Sequence, residues 1–139
     1  MNYAAIADAA AGLSLDDAFA AISIRIVTVE KGIDQRMINE RTILSLIGMA
    51  DGDAFMTALE ASVNVPDRIK PWFKPSESGV DVLDVGSQKI IAMMVGGSVI
   101  TQAQADTITD YGFSTVPEFG GVSRGHVKKA IDMRARGEV

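Results

Sequence analysis

GVDVLDVGSQKIIAMMVGGSVITQAQADTITDYG, residues 79–112, is the stretch that decides the fold. Its first half has an apolar body behind Asp84, a candidate N-cap, because a short acceptor side chain can bind the free N–H groups of a helix start. Gly96 and Gly97 then end the helix, since glycine adopts the left-handed backbone conformation without a steric penalty. This half therefore predicts one helix that begins at Asp84 and stops at the glycine pair.

A second helix follows directly. Thr101 and Gln104 have the spacing of a capping box, in which each side chain accepts a hydrogen bond from the backbone N–H of the other residue. Gly112 is expected to close this helix. The whole stretch thus predicts a helical hairpin at about residues 84–111.

Short helices and one strand precede the hairpin. Asn2 and Ser14 are candidate caps of two short helices. Residues 23–30, SIRIVTVE, are dominated by β-branched side chains and predict a strand. A third helix is expected to end at Gly48, and residues 51–53, Asp-Gly-Asp, are expected to open a fourth.

The predicted strand has a consequence for assembly. A lone strand leaves its backbone hydrogen-bonding groups unpaired, so it must pair within the chain or with a neighbouring protein. We predict strand addition across subunits. Ile24 and Ile26, which lie on one side of the strand, are therefore candidate interface residues.

The remaining segments predict a loop, a connection and a last helix. Residues 74–79, KPSESG, are the best candidate for a hinge, which would separate an N-terminal helical part from the hairpin and the last helix. Residues 113–122 read as a connection, and Ser123 caps the final helix. The fold class that follows is mainly α, with five to seven short helices and a minor β element around residues 23–30, in a single domain of residues 1–139.

The composition of the chain excludes several kinds of site and of partner. The chain has 139 residues, a net charge of −5 and no cysteine, so disulfides, thiolate metal sites and cysteine nucleophiles are excluded. Its acidity argues against nucleic-acid binding, which depends on neutralising phosphates with lysine and arginine. No apolar run approaches the roughly 18 residues of a membrane span. We therefore expect neither a nucleic acid nor a membrane as a partner.

Charge is distributed unevenly along the chain. The N-terminal segment carries three aspartates and no base, whereas the last helix is rich in bases and contributes five candidate interface residues: Arg124, Lys128, Lys129, Arg134 and Arg136. One interpretation is that the acidic and basic ends of different copies bind each other. The other is that both are ordinary solvated faces.

Trp72, the single tryptophan, stands beside Phe73 in a proline-flanked segment. Aromatic side chains are frequent anchors of protein interfaces, so both residues are interface candidates. The alternative is that the segment covers a core.

No residue pattern predicts catalysis or a cofactor. His126, the single histidine, is one helical turn from Ser123, but no acid is placed to orient it, so we expect a surface residue near a helix start. No aspartate cluster has the spacing of a calcium loop, and the glycine-rich residues 120–125 lack the ending of a Walker A loop. The second hairpin helix has no lysine or arginine with which to read DNA. We expect a non-enzymatic protein without metal or cofactor.

Short motifs run through most of the chain, and they lie at residues 13–18 (LSLDDA), 37–48 (MINERTILSLIG), 79–85, 99–103 (VITQA) and 125–127 (GHV). With these motifs the chain resembles small proteins encoded in the structural-gene regions of tailed bacteriophages. It departs from their usual pattern at residues 113–123, FSTVPEFGGVS, where those proteins are richer in serine, arginine and alanine. The resemblance implies a virion or virion-assembly role and assigns no functional residue.

The expected function is that of a phage virion structural protein, either an accessory head decoration, a cement protein or a tail-associated subunit. It would be made in the host cytoplasm and located in the virion, with other virion proteins or copies of itself as partners. The alternative is a small phage inhibitor of a host enzyme or defence complex, whose acidic face mimics nucleic acid. Carboxylates spaced along one exposed surface would favour that alternative.

Overall fold

The structure, a computed structural model, describes residues 1–139. Helices dominate and two small sheets accompany them, which confirms a mainly α fold with a minor β element. In chain order the elements are α1 (Tyr3–Ala10), α2 (Leu15–Ser23), β1 (Ile26–Glu30), β2 (Met37–Ile38), α3 (Glu40–Ile47), α4 (Met49–Ala61), β3 (Val80–Asp81), α5 (Val85–Gly96), α6 (Gln102–Asp110), β4 (Phe113–Pro117) and α7 (Arg124–Ala135), with short 3-10 turns at Ile33–Gln35 and Lys70–Phe73.

The helical hairpin is confirmed as α5 and α6. Asp84 caps α5 by accepting a hydrogen bond from the Gly86 N–H, and Thr101 and Gln104 form the predicted capping box of α6. The predicted left-handed glycine is wrong, because Gly97 has a φ of −84° and the left-handed residue is Ser98, with a φ of 57°. The helix still ends at the glycine pair, with Gly96 as its last residue and Gly97 as its C-cap, and only the left-handed residue lies one position beyond the pair.

The start of α4 also differs from the prediction. The helix begins at Met49, directly after Gly48, whose φ of 94° terminates α3. Gly52 therefore lies inside α4 and does not open it. A Cβ at Gly52 would lie 2.5 Å from Cδ2 of Leu44, so this glycine allows α3 and α4 to approach each other closely.

The expectation of a lone strand is wrong, because the structure has four strands that form two pairs. β1 pairs with β4, which occupies the segment that the sequence suggests is a connection. β2 pairs antiparallel with β3, with Met37 opposite Asp81. The expectation that this strand finds its partner in another subunit is therefore wrong for the edge that faces β4, because that edge pairs within the chain.

The chain forms two compact units. Unit 1 comprises residues 1–29 and 115–139, and unit 2 comprises residues 30–114. The chain passes from one unit to the other within β1 and again within β4. Residues 74–79, the hinge candidate, lie inside unit 2, where the Asn39 side chain donates a hydrogen bond of 2.8 Å to the Glu77 carbonyl.

Each unit has its own core. The core of unit 2 contains large side chains, among them Phe55, Leu59 and Phe73, each at most 1% exposed. The core of unit 1 is built from smaller residues on α1, α2 and α7: Ile6, Ala7, Ala10, Ala18, Ile22, Val127 and Ala130.

Candidate interaction site

The two paired strands β1 and β4 form a ribbon that carries four exposed apolar side chains at neighbouring positions. Ile26 is 63% exposed, and Val27, Val29 and Val116 are each more than one-third exposed. Every residue of β1 is exposed, which is unusual for a strand of β-branched residues that would normally cover a core. Because successive side chains of a strand point to opposite faces, Ile26 lies on one face of the ribbon and the three valines lie on the other. We call these four side chains, on the two exposed faces, the ribbon surface.

Two hydrogen bonds at its ends fix the register of the ribbon. The Glu118 N–H donates to the Arg25 carbonyl at 2.9 Å, and the Lys31 N–H donates to the Gly112 carbonyl at 2.8 Å. Both pairs belong to one antiparallel register, in which Val27 lies opposite Val116. Because hydrogen-bonded pairs alternate along an antiparallel ladder, the odd-numbered residues of β1 point their backbone groups at β4.

The two outer edges of the ribbon therefore differ. On β1, the backbone N–H and C=O groups of Ile26, Thr28 and Glu30 point away from β4, and no third strand joins this sheet. On β4 the outward residues include Pro117, which has no N–H to offer a further strand. One edge is thus open to pairing, and the other is interrupted by proline.

Charged side chains flank the ribbon surface. Arg25 forms an ion pair of 2.8 Å with Glu118, and its guanidinium lies 5.6 Å from the centre of the Phe119 ring. Lys31 places its ammonium 4.2 Å from the centre of the Tyr111 ring. Both cations are therefore engaged within the chain at the two ends of β1.

Unit 2 contains an apolar groove of about 650 Å³. Trp72, an interface candidate, lines it and is 50% exposed, whereas Phe73 is a core residue that does not reach the surface. Ser87, at 6% exposure, adds a hydroxyl to the groove wall. The other apolar lining residues are Met37, Val65, Pro66, Ile69, Val80, Ile90 and Met93.

A bidentate ion pair lies beside this groove. Arg36 donates to both carboxylate oxygens of Asp81 at 2.9 Å, and Asp81 also accepts from the Leu83 N–H. Burial disfavours the ionised Asp81, but these hydrogen bonds and the charge of Arg36 outweigh it, so the pKa of Asp81 is lowered. The pair joins β3 to the segment before β2.

The basic residues of α7 have partners within unit 1. Arg124 pairs with Asp16 and Arg134 with Asp8, so the acidic N-terminal helices bind the basic C-terminal helix of the same chain. The remaining three bases also have neighbours: Lys128 pairs with Asp132, Arg136 pairs with Glu138, and Lys129 lies over the Tyr3 ring. Four of the five interface candidates on this helix are thus paired with carboxylates of the same chain, and Lys129 contacts an aromatic ring.

Ser123 and His126 lie together at the start of α7. The Ser123 N–H donates to Nδ1 of His126 at 3.0 Å, and the His126 N–H donates to the Ser123 hydroxyl at 3.2 Å. This reciprocal pattern is a capping box, with histidine in the place usually taken by glutamate or glutamine. The pair therefore satisfies two backbone donors at the helix start.

Comparison with protein-family models, with characterised proteins and with solved structures finds no match. No group of three or more histidine, aspartate or glutamate side chains is arranged to hold a metal ion. None of the helices combines the length and the apolar character that crossing a bilayer requires.

Ile24 and Ile26, the interface candidates of the predicted strand, are 78% and 63% exposed. The sequence did not predict that this strand pairs with β4. The pairing of β1 with β4 depends on contacts about ninety positions apart in the chain. The available signal was Phe-Ser-Thr-Val-Pro at residues 113–117, a short run of strand-forming residues that ends in proline.

Proposed function

We propose that this chain is a non-enzymatic structural subunit of a tailed-phage virion that acts through protein–protein contacts. The observation that carries the proposal is the ribbon surface. A two-stranded ribbon is marginally stable by itself, and exposed β-branched residues on it are typical of a surface that another protein covers. In an assembled particle, the neighbouring proteins would cover such a surface.

The ion pairs support this function over the alternative of an inhibitor that mimics nucleic acid. A mimic presents free carboxylates in a row. Here eight of the eighteen acidic residues are engaged in ion pairs within the chain, Asp8 and Asp16 among them. These carboxylates are paired with bases of the same protein, so less negative potential is available to attract a partner.

The proposal is tested by quantitative mass spectrometry on purified, nuclease-treated particles of the phage that encodes the chain. The major capsid protein serves as the internal standard. We expect the ratio of this chain to the capsid protein to stay constant through successive purification steps, while an abundant host protein in the same sample falls away. A ratio that falls with the host protein contradicts a virion role.

A substitution links the ribbon surface to incorporation. Ile26→Asp places a charge on one exposed face of β1 and Val27→Asp places it on the other, and at least one of them should reduce the amount of the chain in particles at least severalfold. Val63→Asp is the matched control, because Val63 is 95% exposed and lies away from the ribbon in the chain, in unit 2. Equal incorporation of all three variants would mean that the ribbon surface is not the contact.

A further inference from the structure

We infer that the open edge of β1 pairs with β1 of a second copy of this chain, in an antiparallel register centred on Thr28. The inference deepens the proposed function, because it names the partner of the ribbon and the geometry of their contact. It rests on the edge itself and holds wherever the assembled chain resides.

The backbone groups of the open edge are symmetric about Thr28. The outward residues of β1 are Ile26, Thr28 and Glu30, as the end hydrogen bonds require. A twofold axis that relates two antiparallel strands must place one residue opposite its own copy. With Thr28 opposite Thr28, Ile26 lies opposite Glu30 of the other copy, and each outward N–H meets an outward C=O.

Other twofold registers use this edge less well. An axis at Ile26 would pair Thr28 with Ile24, which lies outside the strand and ends α2. An axis at Glu30 would pair Thr28 with Gly32, which precedes a 3-10 turn. Only the axis at Thr28 keeps all three outward residues of both copies inside the paired strands.

The side chains fit the same register. Thr28 would face Thr28, a favourable cross-strand pair, and Val27 would face Val29 from each side. With Val116 on the neighbouring strand, the valines of both copies then form one continuous apolar face. The resulting sheet has the order β4-β1-β1-β4, and Pro117 terminates it at both outer edges.

The register also brings two cations together, because Arg25 lies opposite Lys31 of the other copy. Each is engaged by its own chain, Arg25 with Glu118 and Lys31 with Tyr111. Their repulsion nevertheless weakens the pairing, and it identifies the register. Replacing Lys31 by an acid would turn both like-charge pairs into opposite-charge pairs.

The main experiment measures dimerisation of the full chain by sedimentation velocity over a wide range of protein concentration. We expect a monomer–dimer equilibrium that Thr28→Pro abolishes, because proline removes the central outward N–H. Thr115→Pro is the matched control, since Thr115 lies opposite Thr28 on β4 and its N–H points to the edge that Pro117 already interrupts. Equal dimerisation of the two variants would overturn the inference.

Two further variants keep the test independent of folding defects introduced by proline. Lys31→Glu should tighten the dimer about tenfold, whereas Lys31→Gln should have a smaller effect. Thr28→Cys creates the single cysteine of the chain and should form an intermolecular disulfide faster than Thr115→Cys, because opposed residues of a strand pair lie within disulfide range. Equal crosslinking, or no tightening with Lys31→Glu, contradicts the register.

The outcome separates this inference from the proposed function. A monomeric chain that co-purifies with particles at a constant ratio overturns the β1 pairing and leaves the virion role standing. A chain that dimerises through Thr28 and is absent from particles supports the pairing and contradicts the virion role.

Discussion

Unit 1 and unit 2 are stabilised in different ways. Unit 2 is one continuous segment with a core of phenylalanine, leucine, isoleucine and methionine side chains. Unit 1 joins the two ends of the chain around a core in which four of the seven buried residues are alanine. Since apolar burial contributes about 25 cal/mol per Å², large side chains give unit 2 more stabilisation for each buried position.

Unit 1 relies more on contacts between distant parts of the sequence. Helices α1 and α2 reach α7 through the small-residue core and through the Asp8–Arg134 and Asp16–Arg124 pairs. Exposed pairs of this kind contribute little and are weakened by salt. The comparison therefore predicts that unit 1 unfolds before unit 2.

The largest expected effect is on the core of unit 2. Phe55→Ala should destabilise unit 2 by about 3–5 kcal/mol, because it removes a fully buried ring and leaves a cavity. Trp72 lies in unit 2, so its fluorescence reports this transition during denaturant unfolding. Ile22→Ala in unit 1 is the comparison variant, and it should shift the circular dichroism transition while the Trp72 transition stays in place. A shared shift would mean that the units unfold together.

The second effect separates backbone strain from crowding. Gly79 and Gly12 both have positive φ, but a Cβ at Gly79 would lie 2.1 Å from the Ile38 carbonyl oxygen, whereas Gly12 has open space around it. Gly12→Ala in unit 1 should cost about 1–2 kcal/mol, the ordinary penalty for a left-handed alanine. Gly79→Ala in unit 2 should cost clearly more in the same thermal unfolding experiment. Equal costs would show that β2 and β3 move apart without penalty.

The third effect is the acid sensitivity of unit 2. Since the pKa of Asp81 is lowered in the folded state, its ionised form stabilises unit 2 above its ordinary pKa of 3.8, and this contribution is lost as the pH falls below that value. Asp81→Asn should therefore lower the melting temperature at neutral pH, and the difference from the wild type should shrink below about pH 4. Thermal unfolding followed by Trp72 fluorescence measures both. Asp106→Asn is the control and should leave the melting temperature at neutral pH nearly unchanged, because the hydrogen bond that Asp106 accepts from Gln102 is exposed.

The smallest effect is that of the surface ion pairs of unit 1. A double-mutant cycle with Asp8→Asn and Arg134→Gln should give a coupling of about 0.2–1 kcal/mol, because both side chains are largely exposed. High salt should abolish the coupling. A coupling that persists in high salt would show that the pair is shielded from solvent. The difference in stability between unit 1 and unit 2 would then be smaller.

Local signals in the sequence predicted local structure well. Thr101 with Gln104, Ser14 and Asp84 each mark a helix start, because a cap depends on residues only two or three positions apart. The mainly α class and the hairpin follow from such signals. The start of α4 was missed because Gly52 reads as a turn residue, whereas it is needed for contact with Leu44.

Contacts between distant residues were not predictable in the same way. The strand β4 and the pairing of acidic with basic helices both require knowledge of which segments meet. The sequence showed that β1 needs a partner, yet it did not show that β4 takes one edge and leaves the other open. In the folded ribbon, the backbone groups of Thr28 point to the open edge and those of Val27 point to β4. This alternation of hydrogen bonds cannot be read from the sequence.

Amide hydrogen exchange of the unmodified chain, measured residue by residue by NMR at low and high protein concentration, tests the central claim most directly. The Thr28 amide should exchange rapidly in dilute protein and become protected as concentration rises, together with those of Ile26 and Glu30. The Val27 and Val29 amides, which face β4, should be protected equally at both concentrations. A Thr28 amide that exchanges at the same rate at every concentration would contradict the pairing of β1 with a second copy.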